Sequence, residues 1–212
     1  MNLVDIEILL QKRLQYPYKW YRKQNDTWDK YTNFIYEINE WEALIFEISL
    51  TVKKYQLDKQ ELFYYAINRW FNFWSAMAVE KIFCSFPEIQ AAFNLRTKLV
   101  DFTLNDIPFD HKTSVFPKGF NNDIFYAKSQ KRELINWLYD NQSNQKRHHL
   151  KNRLFIIVYA NNGEHWKLKA AISLLIKEIK NYVLNFNPTQ LQKFIFTPQN
   201  ETFSDIIWVE LN

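Results

Sequence analysis

The chain has 212 residues, 47% of them apolar and 18% aromatic, with a formal net charge of +4. Two glycines, Gly119 and Gly163, cannot build a glycine-rich nucleotide loop, and one cysteine, Cys84, allows neither an intrachain disulfide nor a cysteine zinc cluster. The small positive charge permits an anionic partner without demanding one, since nucleic-acid binding needs a local basic face rather than a large total.

The length suits one domain with an appended helical part, and folding at this size removes about 70% of the unfolded chain's surface from water. MNLVDIEILLQKRLQ carries Asp5 and Glu7 within its apolar stretch and lacks a small-residue cleavage site, so it does not read as a secretory signal. No apolar run approaches the ~20 residues that span a bilayer. A soluble protein of the reducing cytoplasm, without a membrane partner, is the expectation.

In chain order, residues 1–56 read as a helical region. Leu3, Ile6, Leu10 and Leu14 recur at helical spacing, as do Phe34, Ile38, Trp41, Ile45 and Ile48, with a break at Tyr16-Pro17-Tyr18. Asp58 and Glu61 have the spacing of a capping box and open a helix to about Cys84, striped by Phe63, Ile67, Trp70, Phe71, Trp74, Met77, Ala78 and Ile82. The period then changes. Residues 98–104 and 107–116 are rich in β-branched and aromatic residues, and Asn105-Asp106 between them suits a two-residue hairpin turn. A helix is expected over about 129–141. The continuous apolar run 153–160 reads as a strand covered on both faces. A second helix follows over about 164–185, then two strand candidates in 194–211 on either side of Pro198. The sum is an α/β protein with a mixed sheet flanked by helices, divided as a helical region 1–56 and a core 57–212.

The hairpin carries the chemistry. With Asn105 and Asp106 as the turn, Phe102 faces Phe109 and Asp101 faces Asp110; opposed residues share a side, about 5 Å apart at Cβ. Lys112, two residues past Asp110, joins them. Val100, Phe102, Leu104, Ile107, Phe109 and Val115 make the opposite, core face, where His111 is the exception. Two opposed carboxylates at that distance repel by about 3 kcal/mol at an effective dielectric of about 20. A divalent cation offsets this, and oxygen ligands suit Mg2+ or Mn2+. The alternative is a surface hairpin whose Asp–Lys pairs are merely solvated. Aspartates are depleted in strands, and two mid-strand in register favour a site.

Asp101, with Pro108-Phe109-Asp110-His111-Lys112-Thr113 after it, resembles the PD-(D/E)xK superfamily, the restriction-endonuclease-like fold. The resemblance spans about half the chain, 57–160, through an order of helix, strand meander, helix and strand. It implies a metal-dependent nuclease acting on DNA, in a setting such as restriction or phage defence. Asp101 and Asp110 would hold Mg2+ or Mn2+, Lys112 would stabilise charge or position water, and Glu80 on the preceding helix would complete the set. Two departures from the family pattern are Val100 in place of a proline and Asp110 in place of the commoner glutamate. Cutting both strands of a palindrome would suggest a homodimer.

Other residues admit two readings. Glu80 also fits an exposed glutamate paired with Lys81 or Lys128. The basic connector Gln142–Arg153 would contact phosphate through Gln142, Arg147, Asn152 and Arg153, or serve only as a solvated link. Lys118 could touch substrate backbone or simply end a strand. Among the tryptophans, Trp20, Trp28, Trp41, Trp70 and Trp74 could stack on bases, but most lie on helical stripes that suit a core. Outside catalysis, a non-catalytic nucleic-acid-binding or interaction domain, or a helical interaction protein with an incidental hairpin, remains open.

Overall fold

The computed structural model describes residues 2–92, 100–141, 150–198 and 200–211. They resolve into two compact units, Met1–Ala78 with Lys169–Ser173, and Val79–Leu168 with Leu174–Asn212.

The first unit is helical. It contains α1 (Leu3–Arg13), α2 (Asp26–Tyr31), a 3-10 turn (Asn33–Tyr36), α3 (Trp41–Tyr55) and most of α4 (Lys59–Phe83). The Tyr16-Pro17-Tyr18 break ends α1 as expected. The buried Arg13 guanidinium holds that break, donating to the carbonyls of Tyr16 and Pro17 and to Asn68 Oδ1. Asp58 caps α4 by accepting the Glu61 N–H at 2.8 Å, while the Glu61 carboxylate pairs with Arg22 at 2.7 Å. Trp28, Trp41 and Trp70 are buried; Trp70 and Trp74 donate their indole N–H groups to backbone carbonyls, Trp70 to Ile38 and Trp74 to Ile35 and Ile38. Trp28, Trp41 and Trp70 are core, and the polar edges of Trp70 and Trp74 are satisfied.

The second unit holds a six-stranded mixed sheet: β1 (Ile89–Ala91), β2 (Phe102–Leu104), β3 (Ile107–Val115), β4 (Arg153–Ala160), β5 (Gln192–Thr197) and β6 (Asn200–Leu211), in the order β1-β2-β3-β4-β6-β5. The first three form an antiparallel meander; β3, β4 and β6 run parallel, and β5 returns antiparallel at the edge. The hairpin has the expected register, Phe102 on Phe109 and Leu104 on Ile107. Both turn residues take positive φ, 49° at Asn105 and 63° at Asp106, the geometry that matches the strand twist. β2 is shorter than the pattern suggested, and Lys98 and Leu99 lie outside the described residues. The three-residue β1 had no alternating signature in the sequence.

Helices α5 (Ile124–Ser129) and α6 (Lys131–Asp140) cover one face. There Ile124, Ala127, Leu134, Ile135 and Leu138 share a core with Phe155, Ile157 and Ile206. Alternate residues of β4 and β6 (Leu154, Ile156, Val158, Ile207 and Val209) are buried on the other face. On that side the α4 ring of Phe83 stacks on Phe102 at 4.3 Å, and Phe186, just past α7 (Ile172–Leu184), meets Phe109 edge-on at 6.3 Å. The helix expected from Glu164 is split. His165–Ala170 winds as a 3-10 segment, tied at its start because His165 Nδ1 accepts the Ala160 N–H at 2.9 Å.

Asp205 on β6 joins four segments. It accepts from Lys131 of α6 at 2.6 Å, Tyr182 of α7 at 3.0 Å and Gln190 at 3.0 Å. At the β5 edge, Lys193 pairs with Glu201 at 2.5 Å, and Arg132 donates to the Lys193 carbonyl while its guanidinium lies 4.6 Å from the Phe194 ring centre. Pairing of β5 with β6 is irregular between Ile195 and Thr197. Among the described residues no helix is long and apolar enough to cross a membrane.

Candidate active site at the β3–β4 junction

β3 carries Asp110 and Lys112 onto the face covered by α6. Its parallel partner β4 places Arg153 beside Asp110 and Phe155 beside Lys112, and neighbours in register project to the same face. The pairing is fixed by Asn152: its carbonyl accepts the Asp110 N–H at 3.0 Å, while its side chain donates to the Pro108 carbonyl at 3.1 Å and accepts from Phe203 N at 2.8 Å. Asn152 therefore stitches β3, β4 and β6 together. Its amide is spent on backbone rather than offered to phosphate.

Arg153, read both as the start of the strand 153–160 and as the end of a phosphate-contacting connector, is the first residue of β4 and is buried. Its Nε donates to Asp110 Oδ2 at 2.6 Å, and its Nη2 reaches the same oxygen. The guanidinium lies within 6 Å of the ring centres of Tyr139 (5.9 Å) and Phe155 (5.7 Å), which suits its planar cation. Tyr139 donates to the Lys151 carbonyl at 2.7 Å, and burial pushes its phenol up to about 12.

Asp101 stands at a bend just before β2. Its N–H goes to the Phe109 carbonyl at 2.8 Å, and its Oδ2 accepts both the backbone N–H of His111 at 2.8 Å and His111 Nδ1 at 2.7 Å. His111 is the residue that sequence reasoning left as an exception on the core face. It lies beside the stacked rings of Phe83 and Phe102 with its side chain 7% exposed, and its ring anchors Asp101. A histidine in an otherwise apolar alternation, ten residues from an acid, was the available signal.

The two carboxyls lie close enough to act on each other electrostatically. Burial pushes Asp110 up, and the charge of Asp101 adds to it, against the pull of Arg153. Burial acts on Asp101 in the same sense, but the His111 hydrogen bonds and charge outweigh it and hold that acid below the usual carboxylate range. Asp101 thus carries the charge and Asp110 the tighter proton. Burial, reinforced by Arg153, lowers the Lys112 ammonium to about 8. The repulsion expected between the acids is therefore relieved by the Arg153 guanidinium on Asp110 and by the two His111 donors on Asp101.

Glu80 lies half-buried near the end of α4. It and Asp101 both act electrostatically on Cys84, whose thiol is raised by burial first. Among the described residues no three His, Cys, Asp or Glu side chains gather as a metal cage, so Glu80 does not close a three-carboxylate set. Two carboxylates are still a chemically apt pair for Mg2+, which characteristically takes one or two protein carboxylates and fills its shell with water and phosphate oxygens. Lys118 is exposed on a short 3-10 turn (Lys118–Phe120), where its charge acts on His165. Gln142 and Arg147 lie outside the described residues. Comparison with protein-family models, with curated proteins and with solved structures gave no match for this chain.

Proposed function

We propose that this protein is a metal-dependent nuclease that hydrolyses phosphodiester bonds in DNA, with a restriction-endonuclease-like core. The observation that carries the reading is the meeting of the Asp101 and Asp110 carboxyls where β2 begins and β3 enters the sheet, with Lys112 two residues further along the same strand. The run of α4, antiparallel meander, helix and β4 supports the fold reading.

Asp101 and Asp110 would hold a Mg2+ or Mn2+ ion, which supplies Lewis acidity and a bound water of lowered pKa. Asp101 is oriented by two donors from His111 and keeps its charge, so it is the stronger of the two ligands. Asp110, whose pKa burial raises, must be ionised to contribute fully. Lys112, with its ammonium lowered to about 8, can hold or release a proton near neutral pH and stabilise negative charge on a phosphate oxygen.

The test is a cleavage assay on plasmid, linear and single-stranded DNA with Mg2+ or Mn2+. Asp110→Asn and Lys112→Met should each reduce cutting by about 100-fold or more, with circular dichroism unchanged. Wild-type protein that leaves every substrate intact in both metals would sink the enzyme reading.

One observation favours a second reading. Arg153 already neutralises Asp110, so a non-catalytic nucleic-acid-binding domain could keep the cluster as a structural network. In that case binding survives metal removal and Asp110→Asn alike.

A further inference from the structure

Arg153 shares its oxygen acceptor with the ion the site is proposed to bind. Both of its donors converge on Asp110 Oδ2, its side chain is 6% exposed, and two aromatic rings lie near its guanidinium. Parallel pairing of Asp110 with Arg153, reinforced by Asn152, keeps the two backbones in register. The guanidinium therefore reaches the acid without a loop having to order first.

A divalent ion at Asp110 would stand within a few ångströms of this fixed positive charge. A divalent and a unit positive charge at ~6 Å, at an effective dielectric of about 20, repel strongly enough to cost about four orders of magnitude in affinity before solvent screening, so a cost of about tenfold or more is expected. From this we infer that Arg153 competes with the divalent cation for Asp110 and sets the metal affinity of the site. The inference rests on the nuclease reading for the presence of a metal, but its subject is Arg153. The exchange replaces a guanidinium contact by a metal contact at a single carboxylate; no covalent bond forms or breaks, and a proton held on Asp110 leaves to solvent. It gives Arg153 a second acceptor class as well: once displaced from Asp110, a planar fork of N–H donors suits a phosphate oxygen. Metal and phosphodiester should then bind with positive coupling, each favouring the arrangement the other needs.

The experiment is direct Mn2+ binding without nucleic acid, read from the electron paramagnetic resonance signal of free Mn2+. Wild type is compared with Arg153→Met, Arg153→Lys and the double variant Arg153→Met/Asp110→Asn. Arg153→Met should bind Mn2+ about tenfold or more tightly than wild type, and the double variant should lose that gain, locating it at Asp110. Arg153→Lys keeps a charge but loses the fork and should fall between. It carries the test if the methionine variant does not retain its circular dichroism. If wild type binds Mn2+ and neither Arg153 variant binds it more tightly, Arg153 does not compete and the inference is overturned while the metal site stands. If no variant binds Mn2+ at all, the metal reading and this inference fall together.

Discussion

At the residue scale, single side chains act here through what they accept or donate. His165 is the plainest case for a pH effect. Its Nδ1 accepts the Ala160 N–H and its ring stacks on Tyr159 at 4.8 Å, a role only the neutral imidazole can fill. Burial holds its pKa below the ordinary value, and the Lys118 charge pushes the same way. The unfolded chain therefore binds this proton more readily, so the contribution is present above about pH 6.5 and is lost as pH falls below it. The urea midpoint should drop more between about pH 7.5 and about pH 5.5 in wild type than in His165→Asn, whose amide oxygen accepts without titrating. Equal drops would remove His165 from the account. Arg153 and Asp101 show why part of the site escaped sequence reasoning. Asp110 and Lys112 were legible because alternation along one strand is local. The contact of Arg153 with Asp110 depends on a parallel register between strands more than forty residues apart, which no local pattern encodes. Asp101 was expected opposite Asp110 in the ladder; it sits at a bend before β2 and turns its carboxylate to His111, because β2 begins only at Phe102, where the apolar pattern implied a strand from residue 98.

At the element scale, Asp205 joins β6 to α6, to α7 and to the segment after α7. It is 2% exposed, and the three side-chain donors aimed at it come from separate parts of the chain. Burial, then the Asp205 charge, drives the Tyr182 phenol far above its usual range, so that group stays a donor. Asp205→Ala would strand Lys131 and Tyr182 and should cost about 3 kcal/mol in urea unfolding, while Asp205→Asn, which keeps an acceptor oxygen, should cost less. A loss below about 0.5 kcal/mol for the alanine variant would mean that water replaces the carboxylate freely. Elements with a strong period were read well from sequence: α6 by its apolar side, β4 by its unbroken apolar run, the hairpin by its turn. Those that failed lacked a period to read. β1 has three residues, and the 3-10 segment at His165 is set by a side-chain tie to β4 rather than by propensity.

At the scale of the whole molecule, a net charge of +4 must act through local faces if nucleic acid is the partner. Affinity for a duplex oligonucleotide should then fall about tenfold or more between about 50 and about 200 mM salt, because bound phosphates release counterions. Fluorescence anisotropy at both salt concentrations measures this, and a flat response would argue against a phosphate backbone as the ligand. The change from helical to strand period after residue 84 was legible in the sequence, whereas the division was drawn at residue 56. The helical unit runs through most of α4 rather than stopping near residue 56, since a single uninterrupted apolar stripe offers no punctuation at which to divide it.

The edge strand β5 bears on how the protein behaves when concentrated. Its sequence, QKFIFT, holds three large apolar residues in a row, with Ile195 65% exposed, and an edge of this kind is a template on which further chains can add. Three features blunt it: the charged Lys193–Glu201 pair, the irregular pairing after Ile195, and Arg132 laid across Phe194 and bonded to the Lys193 carbonyl. Resistance to fibril growth in this protein thus depends on a few charges at one rim of the sheet, remote in sequence from the residues that would do its chemistry.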